Sequence, residues 1–301
     1  MGAPGRIILG SRGSDLALAQ TRLVERALQA AWPELEVAIE VIRTRGDEEP
    51  KTELLADRKA GRKGMFTREI EQALLVRRID VAVHSAKDLP SEPREELELG
   101  ATPPRGAAED VLITKTGDGL ATIPAGSVIA TGSVRRQHQL VWKRPDLQTA
   151  DLRGNVPTRL RKLRENESWS GVILARVGLE RLGLAVQGEI LSPDDFVPAG
   201  GQGVIALQVR RADAKTRRWI DPVNDRATLT CLRAEREFLR LLGGDCDSPV
   251  GVQALLNEGE LVLRAQIFEG QTAAPRVGTT TGSAADPEAI AAQLMKQLYG
   301  G

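Results

Sequence analysis

Short apolar runs alternate with amphipathic stretches along most of this chain, and charged and hydroxyl residues bunch where one gives way to the other. That alternation constrains the fold more than any other feature. Arg6-Ile-Ile-Leu-Gly10 is a short apolar strand. Ser14 then caps a helix ending near Ala31, with Leu16, Leu23, Ala27 and Leu28 close to helical spacing. Over residues 36–44, Val37, Ile39 and Val41 alternate as a half-buried strand requires. Residues 44–63 are polar and aperiodic and read as a mobile loop. A helix over 66–77 and a buried strand over 80–84 follow. Strands and helices in turn indicate α/β architecture with much parallel pairing.

Two breaks divide the pattern. Pro103-Pro104-Arg105-Gly106 is a hinge candidate, and Pro198-Ala-Gly-Gly-Gln-Gly203 is another. Between them a second α/β run has strands at 110–114, 127–131, 147–152 and 171–175, with helices at 133–142 and 156–164. A strand over 204–209 follows the second break. Then come an amphipathic helix over 225–242, a hairpin of 251–256 and 260–268 around Asn257-Glu258-Gly259, and a helix opened by Asp286-Pro287 and ending near Tyr299. This last part reads as a separate α+β domain. A chain of 301 residues passes the size of roughly 250–300 residues at which single cores stop growing.

Composition narrows the function. The 41 basic and 41 acidic residues cancel, which argues against a protein-wide basic field for nucleic acid. Locally the balance shifts: Thr131 to Arg181 holds 11 Lys/Arg against 5 Asp/Glu. Aromatic residues are 3% of the chain, too few for stacking platforms and few enough to leave the cores to aliphatic side chains. Two cysteines, Cys231 and Cys246, make no disulfide framework. With two histidines, His84 and His138, they do not support a metal site, so no metal is expected. The first residues lack an apolar targeting core and no run reaches membrane-span length, so a soluble cytoplasmic protein is expected.

The chemistry concentrates at strand ends, where α/β sheets bind ligands. The groups are Ser11-Arg12-Gly13-Ser14, His84-Ser85-Ala86-Lys87-Asp88, Thr131-Gly132-Ser133-Val134-Arg135-Arg136 and Arg153-Gly154-Asn155-Val156-Pro157-Thr158-Arg159, with Arg181 on a later helix. Three of them stand where a helix begins and offers free N–H groups. Arginine added there makes bidentate carboxylate or phosphate sites. The inference is a small polyanion held in a cleft. A lone arginine at a helix start is commonly a solvated charge, and that reading is preferred for Arg161, Lys162 and Arg164 within a mid-helix charge run. Asp88 follows a buried strand beside Lys87; acid/base work and a turn-capping aspartate are equally open. Cys246 lies between Asp245 and Asp247, which disfavour a thiolate, so it suits a permanently capped thiol better than a free nucleophile. Cys231, inside an amphipathic helix, reads as a small buried hydrophobe.

Taken together, Thr44-Arg-Gly-Asp47, Lys63-Gly-Met-Phe66, Asp80-Val-Ala-Val-His-Ser-Ala-Lys-Asp-Leu-Pro90, Ser133-Val-Arg-Arg-Gln137, Leu152-Arg-Gly-Asn155, Gly201-Gln-Gly203, Ala234-Glu-Arg236 and Cys246-Asp-Ser-Pro249 resemble the porphobilinogen deaminase (hydroxymethylbilane synthase) family over nearly the whole chain. The resemblance implies an α/β protein of two lobes like type II periplasmic binding proteins, facing each other across a cleft, plus a smaller α+β C-terminal domain. The implied domains are 1–103 with 204–222, 107–199, and 225–301.

The implied reaction is the head-to-tail condensation of four porphobilinogen molecules, with release of ammonia, on a covalent dipyrromethane cofactor. Matched position by position, Cys246 is the thioether attachment and Asp88 the catalytic aspartate. Ser14, Lys87, Thr131, Ser133, Arg135 and Arg136 match cofactor-binding positions, and Arg12, Gln20, Arg153, Arg159 and Arg181 match substrate-binding ones. Residues 44–66 match a lid over the site. Gly132 stands where the family often has Ser, Asp15 where it has Pro, and Gly201 where it has Val. The resemblance also implies a monomer, with porphobilinogen as substrate and no nucleic acid or membrane partner. The rival reading is a non-catalytic two-lobed receptor for a small polyanion, which would have no need of a loop cysteine in a third domain.

Overall fold

The computed structural model describes residues 5–43, 67–92, 94–243, 249–270 and 274–300. The expected loop and lid over 44–66, and Cys246, lie outside the described residues. Along the chain come β1 (Arg6–Ser11), α1 (Asp15–Ala31), β2 (Glu36–Val41), α2 (Arg68–Leu75), β3 (Val81–Ser85), β4 (Leu97–Ala101) and β5 (Asp110–Thr114). Then follow β6 (Val128–Ala130), α3 (Val134–Lys143), β7 (Gln148–Ala150), α4 (Val156–Glu165), β8 (Gly171–Ala175), α5 (Arg176–Arg181) and β9 (Glu189–Ile190). Last are β10 (Ile205–Arg210), α6 (Ala214–Ile220), α7 (Arg226–Leu242), β11 (Val250–Asn257), β12 (Glu260–Ile267), β13 (Arg276–Ser283) and α8 (Pro287–Tyr299). The chain divides into two compact units, Met1–Arg105 with Gly203–Leu229, and Gly106–Gln202 with Thr230–Gly301.

The first unit is built on a five-stranded sheet of order β2-β1-β3-β10-β4. β1 runs parallel to β2 and β3, while β10 runs antiparallel to β3 and β4. Both faces are covered. Ile7, Leu9, Val24, Leu28, Val83 and Leu207 fill one side, and Ile70, Leu74, Ile79 and Leu97 fill the other. Double burial is why these strands read as continuous apolar runs. β10 is buried along its whole length although it carries Gln208 and Arg210. The Arg210 guanidinium donates to the carbonyls of Leu74 (2.9 Å) and Ile79 (2.6 Å) and pairs with Asp80 and Asp213.

The second unit holds two sheets. A five-stranded sheet has the order β7-β6-β8-β5-β9, with β6 parallel to β7 and β8, and β5 antiparallel to β8 and β9. In both five-stranded sheets an antiparallel strand sits next to the outermost one. Each of these sheets thus has two parallel and two antiparallel pairs, so the parallel pairing that the sequence predicts stands beside antiparallel pairing. β5 and β10 each enter after a proline- and glycine-containing break, and local hydrophobic pattern carries no information on strand direction. The third sheet, β11-β12-β13, is antiparallel throughout. With α7 and α8 it encloses Phe238, Val252, Leu261, Leu263 and Leu294.

The sequence predicts only the β11–β12 hairpin of that sheet and misses β13. The inward positions of β13 are Gly278 and Thr280, so its buried face has no apolar alternation to detect. A Cβ at Gly278 would come within 2.8 Å of Leu298, so the glycine is what lets α8 approach the sheet. β4, β9 and α6 are also unpredicted, being short elements without a clear period.

The segment Pro198–Gly203, expected to be a hinge, is pinned up to Gln202 within the second unit. Val252 N–H donates to the Pro198 carbonyl at 2.8 Å. Glu235 of α7 is wholly buried and accepts from Gly201 N–H at 2.6 Å and from Ala254 N–H at 2.8 Å. One carboxylate thus joins α7, β11 and this segment. Glu235→Ala leaves two buried N–H donors without that acceptor, and we expect a loss of about 2–5 kcal/mol. Urea unfolding measures it, and unchanged stability would remove Glu235 from this role.

Candidate active site

The first group of functional side chains belongs to the first unit. β1 ends at Ser11, and the chain turns through Arg12 into α1, whose N-cap Ser14 accepts from Ala17 N–H at 3.3 Å. Gln20 on α1 is buried and hydrogen-bonds Ser85 at the end of β3, 3.0 Å away. Beyond Ser85 the chain makes a tight 3-10 turn over Ala86–Asp88, fastened by Ala86 N–H donating to the Val204 carbonyl at 3.0 Å. This anchoring leaves Lys87 half-buried and Asp88 exposed. Arg12, Ser14, Gln20, His84 and Asp88 line one depression of about 430 Å³, counting the solvent at its mouth. Thr67, just ahead of α2, lines it as well. A carboxylate set beside a guanidinium and hydroxyls can accept from N–H groups and stabilise positive charge while the cation takes a carboxylate.

The second group belongs to the second unit and is organised by a residue that sequence reading missed. Asp110, the first residue of β5, is wholly buried. Arg135 and Arg136, in the first turn of α3, each reach it at 2.8 Å. Gln202 donates to the same carboxylate at 2.8 Å and to the Ala108 carbonyl. Arg135 also donates to Gln139 (2.8 Å) and to the Val197 carbonyl (2.9 Å), and Gln139 donates to Gln266 of β12 at 2.6 Å. Burial alone would raise the Asp110 carboxyl; the two guanidiniums overcome it and hold the group well below the usual carboxylate range. Two cations face one anion in this knot. The Nε–H groups of Arg135 and Arg136 are buried with no hydrogen-bond partner among the described residues.

Arg135 and Arg136, expected as anion-binding groups at a strand end, are thus buried and held by Asp110. A signal was present in the sequence: an aspartate opening the apolar run 110–114 must be exposed or paired. Thr131 is buried, and its hydroxyl accepts from Ser133 N–H at 3.3 Å. Ser133 caps α3 without a side-chain bond. A Cβ at Gly132 would stand 2.4 Å from the Leu152 carbonyl oxygen, so glycine permits this loop to lie against that backbone.

Of the remaining cations, Arg153 and Arg159 stand at the start of α4 and Arg181 at the end of α5. Arg153 is exposed and paired with Asp151 at 2.8 Å. Arg159 donates to the Gly154 carbonyl at 2.7 Å, while Asn155 caps α4 through Thr158 N–H. Lys162, read from the sequence as a solvated charge, makes an exposed bond to the Arg153 carbonyl at 2.8 Å. Burial of Arg181 at the end of α5 lowers its pKa to about 10, partly offset by neighbouring Glu180. Cys231 packs in the α7 core, as its helical setting predicts. No helix among the described residues is long and apolar enough to cross a membrane.

Two family models match the chain. Residues 7–218 match the dipyrromethane cofactor binding domain of porphobilinogen deaminase, and residues 229–300 match its C-terminal domain. Curated relatives named porphobilinogen deaminase include that of Roseiflexus sp. (strain RS-1), 45% identical over 97% of this chain and 95% of its own length. That of Moorella thermoacetica is 40% identical over 97% of this chain and 92% of its own. Among solved structures, the methionine binding protein MetQ overlays 73% of this chain and 90% of its own at TM-score 0.46 and 11% identity. The effector-binding domain of BenM covers 80% of this chain and 95% of its own at TM-score 0.43 and 12% identity.

Asp110→Asn turns the buried knot into two facing cations with no anion, and a loss of about 3–5 kcal/mol is expected. The pH dependence has a definite sign. A carboxyl lowered on folding contributes stability that is fully present above its unfolded pKa of about 4 and fades as pH falls below it. The parent protein should therefore lose stability below about pH 4 more steeply than the variant. Thermal melts from neutral to acid pH measure both; parallel curves would contradict the role given to Asp110.

Proposed function

The chain belongs to the porphobilinogen deaminase family, and from that membership we propose which of its residues perform which part of the reaction. The enzyme is a hydroxymethylbilane synthase: a transferase of tetrapyrrole biosynthesis that condenses four porphobilinogen molecules head to tail, releasing ammonia, on a dipyrromethane cofactor. The observation that carries the assignment of roles is the exposed Asp88 carboxylate, fastened on a short turn in one depression with Arg12, Ser14 and Gln20.

Each substrate brings an aminomethyl group and two carboxylates. The amine needs a proton to leave, and the carbon it leaves behind becomes electron-poor. Asp88 holds and returns the proton and stabilises the positive charge as it develops. Arg12 and Gln20, with Arg153, Arg159 and Arg181, bind the acetate and propionate groups of the substrate. Several carboxylates brought together repel each other by roughly 1–4 kcal/mol for each close pair, so cations must accompany elongation.

Dipyrromethane, when bound, supplies the primer end to which the first substrate joins. The residues present fit it. The Asp110 knot has one cation more than it has anions and two unpartnered buried N–H donors among the described residues, which suits added carboxylates. Arg135 and Arg136 would hold it, together with Ser14, Lys87, Thr131 and Ser133, and Cys246 would carry the thioether. The separate sheets support the division into 1–103 with 204–222, 107–199, and 225–301. A cytoplasmic monomer without nucleic acid or membrane partners completes the reading, supported by the balanced charge of the chain. The rival polyanion receptor would need neither the acid at Asp88 nor a tethered primer.

Asp88→Ala should keep the cofactor mass and lose about 10²–10⁴-fold in kcat, the usual share of acid–base catalysis; normal turnover would refute the role of Asp88. Cys246→Ser should purify without the dipyrromethane adduct. Intact-protein mass spectrometry reads this directly, and an adduct that persists would place the attachment elsewhere.

A further inference from the structure

His84 ends the apolar run of β3, one residue before Ser85 and four before Asp88, and it lines the Asp88 depression while being nearly inaccessible itself. Nothing in the reaction as derived above uses it. Its Nε2 lies 3.0 Å from Gln208 Oε1 on β10, and Gln208 Nε2 lies 3.1 Å from Glu71 Oε1 on α2. The other Glu71 oxygen pairs with Arg94 at 3.0 Å. His84, Gln208 and Glu71 are each at least 96% buried, with exposures of 4%, 2% and 4%. These side chains stand on three elements. β3 and β10 are antiparallel neighbours, and α2 begins beside Thr67, which lines the same depression.

The chemistry of the chain of bonds sets its direction. An ionised carboxylate only accepts, so Gln208 must turn its NH2 toward Glu71. Its oxygen then faces His84 and can only accept, so His84 Nε2 must carry a proton. Reversing the amide would set two acceptor oxygens face to face in a buried site, with nothing to separate them. We propose that His84 is a positioning residue for the Asp88 turn, held in one ring orientation and as the Nε2–H tautomer by Gln208 and Glu71. Through this relay the start of α2 and the end of β3, two walls of one depression, are held in register. The proposal rests on the reading that Asp88 acts on the substrate.

The chain has only two histidines, which makes the tautomer measurable. His138 Nδ1 lies 2.8 Å from the Val134 carbonyl oxygen, an acceptor, so His138 is the Nδ1–H form and serves as an internal reference. The experiment is nitrogen-15 NMR of the histidine-labelled holoenzyme in mildly alkaline buffer, with steady-state kinetics on Glu71→Gln and Gln208→Leu. In the parent protein one histidine should show protonated Nε2 and the other protonated Nδ1. Glu71→Gln keeps the shape and frees the Gln208 amide to reverse, so His84 should become a mixture of tautomers while His138 is unchanged. Its kcat should fall about tenfold, as a displaced catalytic group would cause, with KM for porphobilinogen and the cofactor mass retained. Gln208→Leu should do the same or more; if it does not fold, Glu71→Gln decides. An Nδ1–H tautomer at His84 in the parent protein, or parental kcat in Glu71→Gln, overturns the proposal. If Asp88→Ala is inactive and Glu71→Gln fully active, the relay alone fails. If Asp88→Ala turns over normally, the reading of Asp88 fails while the tautomer result still stands.

Discussion

Asp110 has no contact with water, and its charge survives there only because two guanidiniums and an amide converge on it. A lone carboxylate so placed would be neutralised or expelled. The pairing therefore imposes conditions on everything around it. α3 must begin where Arg135 and Arg136 can both reach the head of β5. Gln202 must lie close enough to bond Asp110 and Ala108, which fixes the chain on either side of it. Through Gln139 and Gln266 the same network extends to the antiparallel sheet. A buried ion cluster of this kind contributes little net stability beside an apolar core of equal volume. What it specifies is geometry: two cations presented in one arrangement, with donors left over.

The first unit meets the same constraint with different residues. β10 lies between β3 and β4, buried along its length, and still carries Gln208 and Arg210. Each finds partners on α2 or on the turn that precedes β3. Polar groups inside a doubly covered sheet are costly unless satisfied, so they fix the register of the strands and helices that satisfy them. The exposed functional groups then rest on that rigid base. Asp88 is exposed, but the turn carrying it is fastened by Ser85 to Gln20 and by Ala86 to Val204. A carboxylate exposed at the edge of a firmly held turn can meet its substrate without first being ordered.

Much of this was legible in the sequence, for identifiable reasons. The strand 110–114, the strand 171–175 and the helices that begin at Asp15 and Val156 follow from apolar runs and caps whose signals are local. Arg12, Ser14, Gln20 and Asp88 were expected near a ligand, and the structure brings these four to one depression. β13 was not legible, because glycine and threonine fill its inward positions. The antiparallel course of β5 and β10 was not legible either, since direction is set by the path of the chain between strands. Local sequence marks Arg135 and Arg136 as important but not as buried, and it is silent on Asp110 because its partner Arg135 lies 25 residues away.

The sequence by itself determined the α/β character, the family and hence the reaction, since these rest on residue identity and local spacing. Only the tertiary structure decided which cations are spent on Asp110, which glycines admit a close backbone, and how Glu71 and Gln208 dictate the proton on His84. The physical reason is that burial and hydrogen-bond direction are properties of neighbours in space. Glu71 and Gln208 stand 137 residues apart in the chain and 3.1 Å apart in the fold.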